Sequence, residues 1–378
     1  MHVAYVCADP GIPVLGSKGA SIHVQQIVRA FQRRGDTVTV YCTRTGDGTA
    51  DALGGARIVT RPVSRGDAAS RERDVAAASV ELAAHAEADG CDLVYERYTL
   101  FSDASARIGA PGIVEVNAPL IEEQRAYRHL VNEGEAIAVT EHVLNRASVV
   151  ACVSDPVAHW ARTHGAPSPI IAANGVDTRA FSPAPDGGDA LQVVFVGSLK
   201  PWHGVDVAID ALSGLDGVEL TILGDGPERA SLERQAARRG TAVRWLGALP
   251  HARVPEVLST MHAGLAPYPA DAGTYFSPLK VYEYLAAGLA VVASDIGELP
   301  AVIEHGVTGM LVLPGDTAEL RAAIETLRDD RPLARQLGIA ARKQALARHD
   351  WDRTLESILA AVDVSAPALA GRGGEVRA

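Results

Sequence analysis

The sequence predicts an α/β protein built from two consecutive Rossmann-like domains that face one another across a central cleft. Its 378 residues exceed what one hydrophobic core ordinarily organises. Short β-branched runs alternate with longer helical patterns, which requires crossover connections and mostly parallel sheets with helices on both faces. That alternation breaks at a Pro/Gly-rich, acidic segment over 178–189 and restarts near residue 190. The break argues against the rival arrangement, a single (β/α)8 barrel.

In the first half, HVAYVCA at 2–8 reads as a strand. IHVQQIVRAFQRR at 22–34 sets Ile22, Ile27, Ala30 and Phe31 on one helical face, and Gly35 closes it. DTVTVYC at 36–42 is the next strand. An Ala/Glu-rich helix over 71–89 precedes the strand DLVYE at 92–96, and IVEVN at 113–117 is another strand. Helical material covers 120–146, SVVACVS at 148–154 returns to strand, and IIAANGVD at 170–177 is a strand leaving the domain.

In the second half, LQVVFVG at 191–197, VELTILG at 218–224 and VRWLG at 243–247 read as strands. Helices over 205–215 and 228–240 separate them, the second ended by Gly240. A short helix PEVLSTM leads to the strand and loop AGLAPYP at 263–269. SPLKVYEYLAAG at 277–288 is a helix with Ser277 as N-cap and Pro278 at its first position. LAVVAS at 289–294 is a strand, 317–329 a helix, and a last helix starts near Trp351. The expected domains are 1–183 and 190–350, with 351–367 a helix crossing back to the first domain and 368–378 a flexible tail.

Apolar residues make up 47% and charged residues 21%, as in a globular protein and unlike a disordered one. The net charge of −11 excludes broad binding to nucleic acid, though not one local positive pocket. Cys7, Cys42, Cys91 and Cys152 are far apart, each in or beside an apolar run, and read as reduced core residues. No metal-type spacing occurs. The start MHVAYVCADPG enters a strand pattern at once, without a basic-then-apolar leader, and no apolar run is long enough to span a membrane. The expectation is a cytoplasmic protein.

Several segments could carry chemistry. The loop at 9–26 places Gly16, Ser17, Lys18 and Gly19 just before a helix, where small residues let a ligand approach backbone donors. It matches neither a GxxxxGK[ST] nor a GxGxxG pattern. An ordinary strand-to-helix connection is the plainer reading. His23 fits a buried polar residue or an acceptor contact equally. Glu115 and Asn117 stand at a strand end and point into the crevice, or else Glu115 pairs with Arg125 or Arg128 and Asn117 makes a turn. In GSLKPWHG at 197–204, Lys200 and His203 could meet phosphates. The turn at Gly224 in ILGDGPE is weak alone. In the 277–288 helix, the first-turn donors and Lys280 suit an anion, while Glu283 one to two turns on suits a vicinal diol such as ribose. Glu298 completes the same cleft or is a helix-start charge only.

Taken in order, GSKGASIHV, NGVD, GSLKPWHG, GDGP, SPLKVYEYLAAG and the GELP…GVTGMLV stretch make the chain familiar. Over about residues 1–355 it resembles the retaining nucleotide-sugar glycosyltransferases of the large fourth sequence family, which share the GT-B architecture. The resemblance implies that Glu283 binds the donor ribose and that the amides at Ser277, Pro278 and Leu279 lie near the diphosphate. Pro278 cannot donate, so the Leu279 and Lys280 amides are favoured. It implies that Gly16 to Gly19 approach the donor phosphate and the acceptor. The family often carries an arginine and a lysine where this chain has Ser198 and His203; Lys200 and Lys280 are the expected substitutes. A glutamate common eight residues before the ribose-binding one is Tyr275 here, and some members have a histidine at Asn117.

The implied reaction moves a hexosyl or N-acetylhexosaminyl group, with retention, from a nucleoside-diphosphate sugar to an acceptor hydroxyl. A UDP-sugar is favoured over a GDP-sugar, and no metal is needed. The acceptor is a small-molecule natural-product precursor, such as an antibiotic precursor, or an envelope glycolipid or glycan. Lys200, Lys280, Glu283 and Asn117 form the expected catalytic set. Gly16, Gly19, Ser198, His203, Gly224, Ser277 and Leu279 join the lysines and Glu283 on the donor side, and Ser17, Lys18, His23, Glu115 and Asn117 serve the acceptor side. A non-hydrolysing nucleotide-sugar epimerase and a noncatalytic nucleotide-sugar-binding module are the alternatives. Homodimer formation and peripheral membrane contact stay open.

Overall fold

The computed structural model describes residues 1–64, 66–183, 188–270 and 279–365. The chain divides into two compact units, one of Met1–Ala173 together with the segment from Asp352 onward, the other Asn174–Trp351.

The first unit holds β1 (His2–Cys7), α1 (Gly19–Arg33), β2 (Thr37–Cys42), β3 (Arg57–Thr60), α2 (Ala68–Asp89), β4 (Leu93–Arg97) and α3 (Ala104–Arg107). It continues through β5 (Gly112–Val116), α4 (Leu120–Tyr127), α5 (Glu133–Arg146), β6 (Val149–Cys152), α6 (Asp155–Thr163) and β7 (Ile170–Ile171). The seven strands form one parallel sheet in the order β3-β2-β1-β4-β5-β6-β7. Strand β1 lies centrally and is fully buried from Val3 to Cys7, as its continuous apolar run requires. Each such Val is worth about 1.5–3 kcal/mol of burial. Tyr5 and Tyr95 stack at 5.4 Å between ring centroids, and Phe31 of α1 meets Tyr95 edge-on at 5.7 Å. Helix α2 starts where the Asp67 carboxylate accepts from the Ser70 amide. All four cysteines are free thiols, and burial raises each of them.

The 120–146 stretch is two helices. The buried Glu72 carboxylate takes the Val131 and Asn132 amides at 2.8 and 2.9 Å, which draws that turn out of the helix. The strand expected over 170–177 shrinks to Ile170–Ile171. Beyond it, Val176 forms a bridge with Asp350, and Gly175 lies so close to Trp351 that a Cβ would meet its backbone nitrogen at 2.9 Å.

The second unit holds β8 (Leu191–Val196), α7 (Val205–Ala211), β9 (Val218–Leu223), α8 (Arg229–Arg239), β10 (Val243–Gly247), α9 (Val254–Leu258) and β11 (Ala263–Ala266). Then come α10 (Leu279–Ala286), β12 (Ala290–Ser294), α11 (Leu299–Val302), β13 (Gly309–Val312), α12 (Thr317–Asp329) and α13 (Arg331–Arg348). Helix α14 (Trp351–Ser365) runs from Asp352 in the first unit. The sheet is again parallel, in the order β10-β9-β8-β11-β12-β13. Helices α12 and α13 start at carboxylate caps, Asp316 and Asp330. Strands β8 and β11 pair only at Ala263–Val193 and Gly264–Val194 and then part. The Tyr284 hydroxyl bridges the parting, accepting from the Val196 amide at 2.7 Å and donating to the Leu265 carbonyl at 3.4 Å. Gly264 leaves room for that ring, since a Cβ would come within 2.5 Å of it. Among the described residues, no helix is long and apolar enough to cross a membrane.

Candidate functional site

In both sheets the strand order reverses beside the first strand of the unit, between β1 and β4 and between β8 and β11. Loops leaving such strands splay apart, so the carboxyl ends at this point form the natural ligand crevice of an open α/β sheet. The chemistry-bearing residues of each unit gather at these ends.

In the second unit, Gly197 directly follows β8 and Gly224 directly follows β9, with φ of +145° and +149°. A Cβ on Gly224 would collide with the Gly197 carbonyl oxygen, so the two loops touch backbone to backbone. Lys280, in the first turn of α10, reaches toward them: a Cβ on Gly197 would lie 3.2 Å from its Nζ. The ammonium sits 4.1 Å from the Phe195 ring centroid and 5.2 Å from that of Tyr268. Lys280 is 9% exposed, and Nζ has no hydrogen-bond partner among the described residues. Burial pushes the ammonium down to about 7, against an upward pull from Glu283. The two ring faces offset only part of the desolvation cost of a buried cation.

His203 packs against Phe195, Trp202 and Tyr268 at 6.0–6.2 Å. Its Nδ1 bonds the Ser198 carbonyl, which requires the hydrogen on Nδ1 and leaves Nε2 as an acceptor in the neutral ring. Burial, then the Lys280 charge, push this ring down to about 4, so it is uncharged at neutral pH. Lys200 is half-buried with Nζ 5.5 Å from the exposed Trp202 ring, and Ser198 is exposed. Glu283 lies on α10 with its side chain 12% exposed, and Oε1 is 2.7 Å from His251 Nε2. Glu298 is half-buried in the turn before α11.

In the first unit, Ser17, Lys18 and Gly19 are exposed at the start of α1, and Gly19 is its first residue. Gly16 precedes them in a tight turn, its amide donating to Pro13 and its carbonyl accepting from Gln25 at 2.8 Å. A Cβ there would lie 2.7 Å from Ser21 Oγ. His23 and Glu115 are 2% and 3% exposed and bond each other at 2.7 Å, with Arg97 Nη1 3.7 Å from the other Glu115 oxygen. Burial would raise the Glu115 carboxyl, but His23 and Arg97 overcome this and hold it at about 2. The partners foreseen for Glu115 are corrected: Arg125 pairs with Glu133 and Glu122 instead. His23 is a buried polar residue, and both side chains lie beneath the surface instead of opening into the crevice. Asn117 follows β5, half-buried, with a buried Nδ2 that has no partner among the described residues.

The structure thus brings Lys280, His203, Gly197 and Gly224 together in one unit, and His23 and Glu115 in the other. Leu279 is the first described residue of α10. Ser277, Pro278 and Tyr275 lie outside the described residues. Arg97, Phe195, Tyr268, Tyr284 and His251 carried no signal in the sequence, because each meets its partner through the tertiary fold. Among the described residues, no group of three or more His, Cys, Asp and Glu could hold a metal ion.

A family model described as "Glycosyltransferase Family 4" matches residues 17–180, and one described as "Glycosyl transferases group 1" matches 190–330. The D-inositol 3-phosphate glycosyltransferase of Jonesia denitrificans is 25% identical over 417 residues, covering 95% of both chains. The glycogen synthase of Mycobacterium tuberculosis is 33% identical over 189 residues, 47% of this chain and 44% of that one. The chain spans about half the length of this and several similar curated relatives. The crystal structure of Anabaena Alr3699/HepE in complex with UDP matches with a TM-score of 0.74 at 20% identity, over 96% of this chain and 100% of that one, a likeness of fold. One model on each half of the chain and a shared architecture lead to one conclusion: this chain belongs to glycosyltransferase family 4, with the GT-B fold.

Proposed function

We propose that this chain moves a glycosyl group from a nucleoside-diphosphate sugar to an acceptor hydroxyl, with retention at the anomeric carbon. The observation that carries the reading is Lys280, a buried cation with no hydrogen-bond partner among the described residues, beside two glycine turns. A diphosphate would supply the missing counter-charge, and glycine backbones allow its close approach. Glu283, further along α10, would take the ribose hydroxyls. His203 stands where the family resemblance calls for a lysine, but its neutral ring cannot replace one. Lys280, with Lys200 nearer solvent, would carry that charge, and the Leu279 amide would add a donor.

On this reading the bond from the anomeric carbon to the diphosphate oxygen breaks as the bond to the acceptor oxygen forms on the same face. The transition state is oxocarbenium-like, and no covalent enzyme intermediate forms. Lys280 and Lys200 neutralise the charge growing on the leaving diphosphate. A departing phosphate oxygen takes the acceptor proton, so neither a protein base nor a metal is needed. Asn117 would face the acceptor, with Ser17, Lys18 and Gly16–Gly19 around it and the His23–Glu115 pair bracing them from below. UDP-glucose is the first donor to try, since the Anabaena structures of like fold hold UDP or UDP-glucose, and a cyclitol the first acceptor, from the name of the full-length relative.

The test is calorimetric binding of UDP- and GDP-sugars to wild type and Glu283→Ala, followed by turnover with trial acceptors. Wild type should bind one series and Glu283→Ala should bind it at least about tenfold less tightly; equal affinity and turnover remove Glu283 from the site. The Lys200→Ala, Lys280→Ala double variant should lose nearly all turnover. Donor-only incubation should leave the sugar unchanged, whereas conversion without acceptor would mark an epimerase.

A further inference from the structure

Glu283 enters the proposed ribose contact with one carboxylate oxygen already engaged. His251 Nε2 lies 2.7 Å from Glu283 Oε1. A carboxylate oxygen only accepts, so Nε2 carries the hydrogen, in the neutral ring as in the charged one. The bond is therefore independent of the charge on His251. The histidine comes from a different part of the sheet, the loop after β10, where Pro250 and the 2.8 Å bond from the Arg253 amide to the Pro250 carbonyl fix a single 3-10 turn. Of the neighbouring cations, Arg253 pairs with Glu256, and Lys280 interacts with Glu283 through space while its Nζ makes no hydrogen bond among the described residues. Among the described residues, His251 is the hydrogen-bond donor to the Glu283 carboxylate.

We infer that His251 is a positioning residue for the nucleoside: it locks the Glu283 carboxylate in one rotamer, so that Oε2 and the remaining lone pair of Oε1 meet two vicinal hydroxyls. A glutamate left alone has several rotamers to lose on binding, and a fixed one has fewer. This rests on the proposal that Glu283 takes the ribose. The function follows from geometry: the half-buried pair holds a carboxylate with acceptor capacity to spare on the same helix as Lys280, three residues further on.

The experiment measures calorimetric affinity of the full chain for UDP and 2′-deoxy-UDP, and for the guanosine pair if GDP binds more tightly. Wild type should prefer the ribonucleotide by about tenfold or more. His251→Ala should bind the ribonucleotide about tenfold less tightly and the deoxynucleotide nearly as before, so that the preference collapses. His251→Gln, whose amide nitrogen can replace Nε2, should restore most of it. With donor saturating, kcat should stay near wild type while KM for donor rises. A wild-type preference near one, or no binding of either nucleotide, overturns the ribose reading of Glu283 and this inference with it. A large wild-type preference that survives in His251→Ala overturns the inference alone. Equal losses on both nucleotides, unrepaired by His251→Gln, also overturn it, since they mark a residue that only supports the fold.

Discussion

The two units share a strand order and a crevice position, yet they settle the charges at their strand ends in opposite ways. In the first unit the buried Glu115 stands between His23 and Arg97, and those neighbours hold it ionised far into acid. In the second unit the buried Lys280 has aromatic rings around it, a neutral His203 close by, and no hydrogen-bond acceptor among the described residues. A charge compensated inside the protein stabilises the fold. A charge left uncompensated costs stability until something binds. The contrast is between a buried charge that has its partners and one that has none among the described residues, and it is what the proposal of a donor site at Lys280 rests on.

The sharpest break of this comparison is Glu115→Ala, which should cost about 3–5 kcal/mol in denaturant unfolding because it strands the buried Arg97 guanidinium and removes the acceptor of the buried His23. The same contribution should be present above about pH 4.5 and fade as acid carries the carboxyl down through about 2. A variant as stable as wild type would make the cluster no brace at all. Lys280→Met should move stability the other way and raise the melting temperature, while kcat/KM falls about 100- to 1000-fold, or about 2.7–4 kcal/mol. Because the folded ammonium titrates near 7, below its ordinary 10.5, the unfolded chain binds the extra proton between those values. Stability of the unliganded protein should therefore rise as pH climbs from about 7 toward 10.5, and Lys280→Met should lose that rise. Bound nucleoside diphosphate should flatten it in wild type. Tyr284→Phe should cost about 1–3 kcal/mol by orphaning the Val196 amide where β8 and β11 part. Lys200→Ala should be mildest, about tenfold in turnover or about 1.4 kcal/mol. A loss equal to that of Lys280→Met would show that burial is not what distinguishes the two lysines.

Much of the second sheet could be read in the chain because β-branched runs such as LQVVFV and VELTIL end at glycines that the loops require. Helix α13 escaped notice because Gly338 interrupts its pattern, and that glycine is packed against the Gly288 carbonyl, where no side chain fits. The short elements β3, α3, α6 and α11 escaped as well, being only 4 to 9 residues long, too short for a period to declare itself. At the site, Lys280 and Glu283 stood out by their spacing on one helix. His251 lies 32 residues before Glu283 and Arg97 lies 18 before Glu115 on a neighbouring strand, and no local pattern announces such a pairing. Whether His23 was core or contact was undecidable from sequence, since both uses put a polar residue on the buried side of α1.

Helix α14 is made after the second unit and belongs to the unit made first. Asp352 takes Arg33 at 2.8 Å, the Thr354 hydroxyl donates to the Ala173 carbonyl at 3.2 Å, and Leu355 and Ile358 are 1% and 0% exposed. On the ribosome, the earlier unit must wait with an apolar surface uncovered until everything between 174 and 351 has been translated. The usual amino-terminal-first order of domain completion is inverted, and the inserted unit can close before its host. A premature stop at residue 352 would then injure the oldest part of the nascent chain and spare the newer unit.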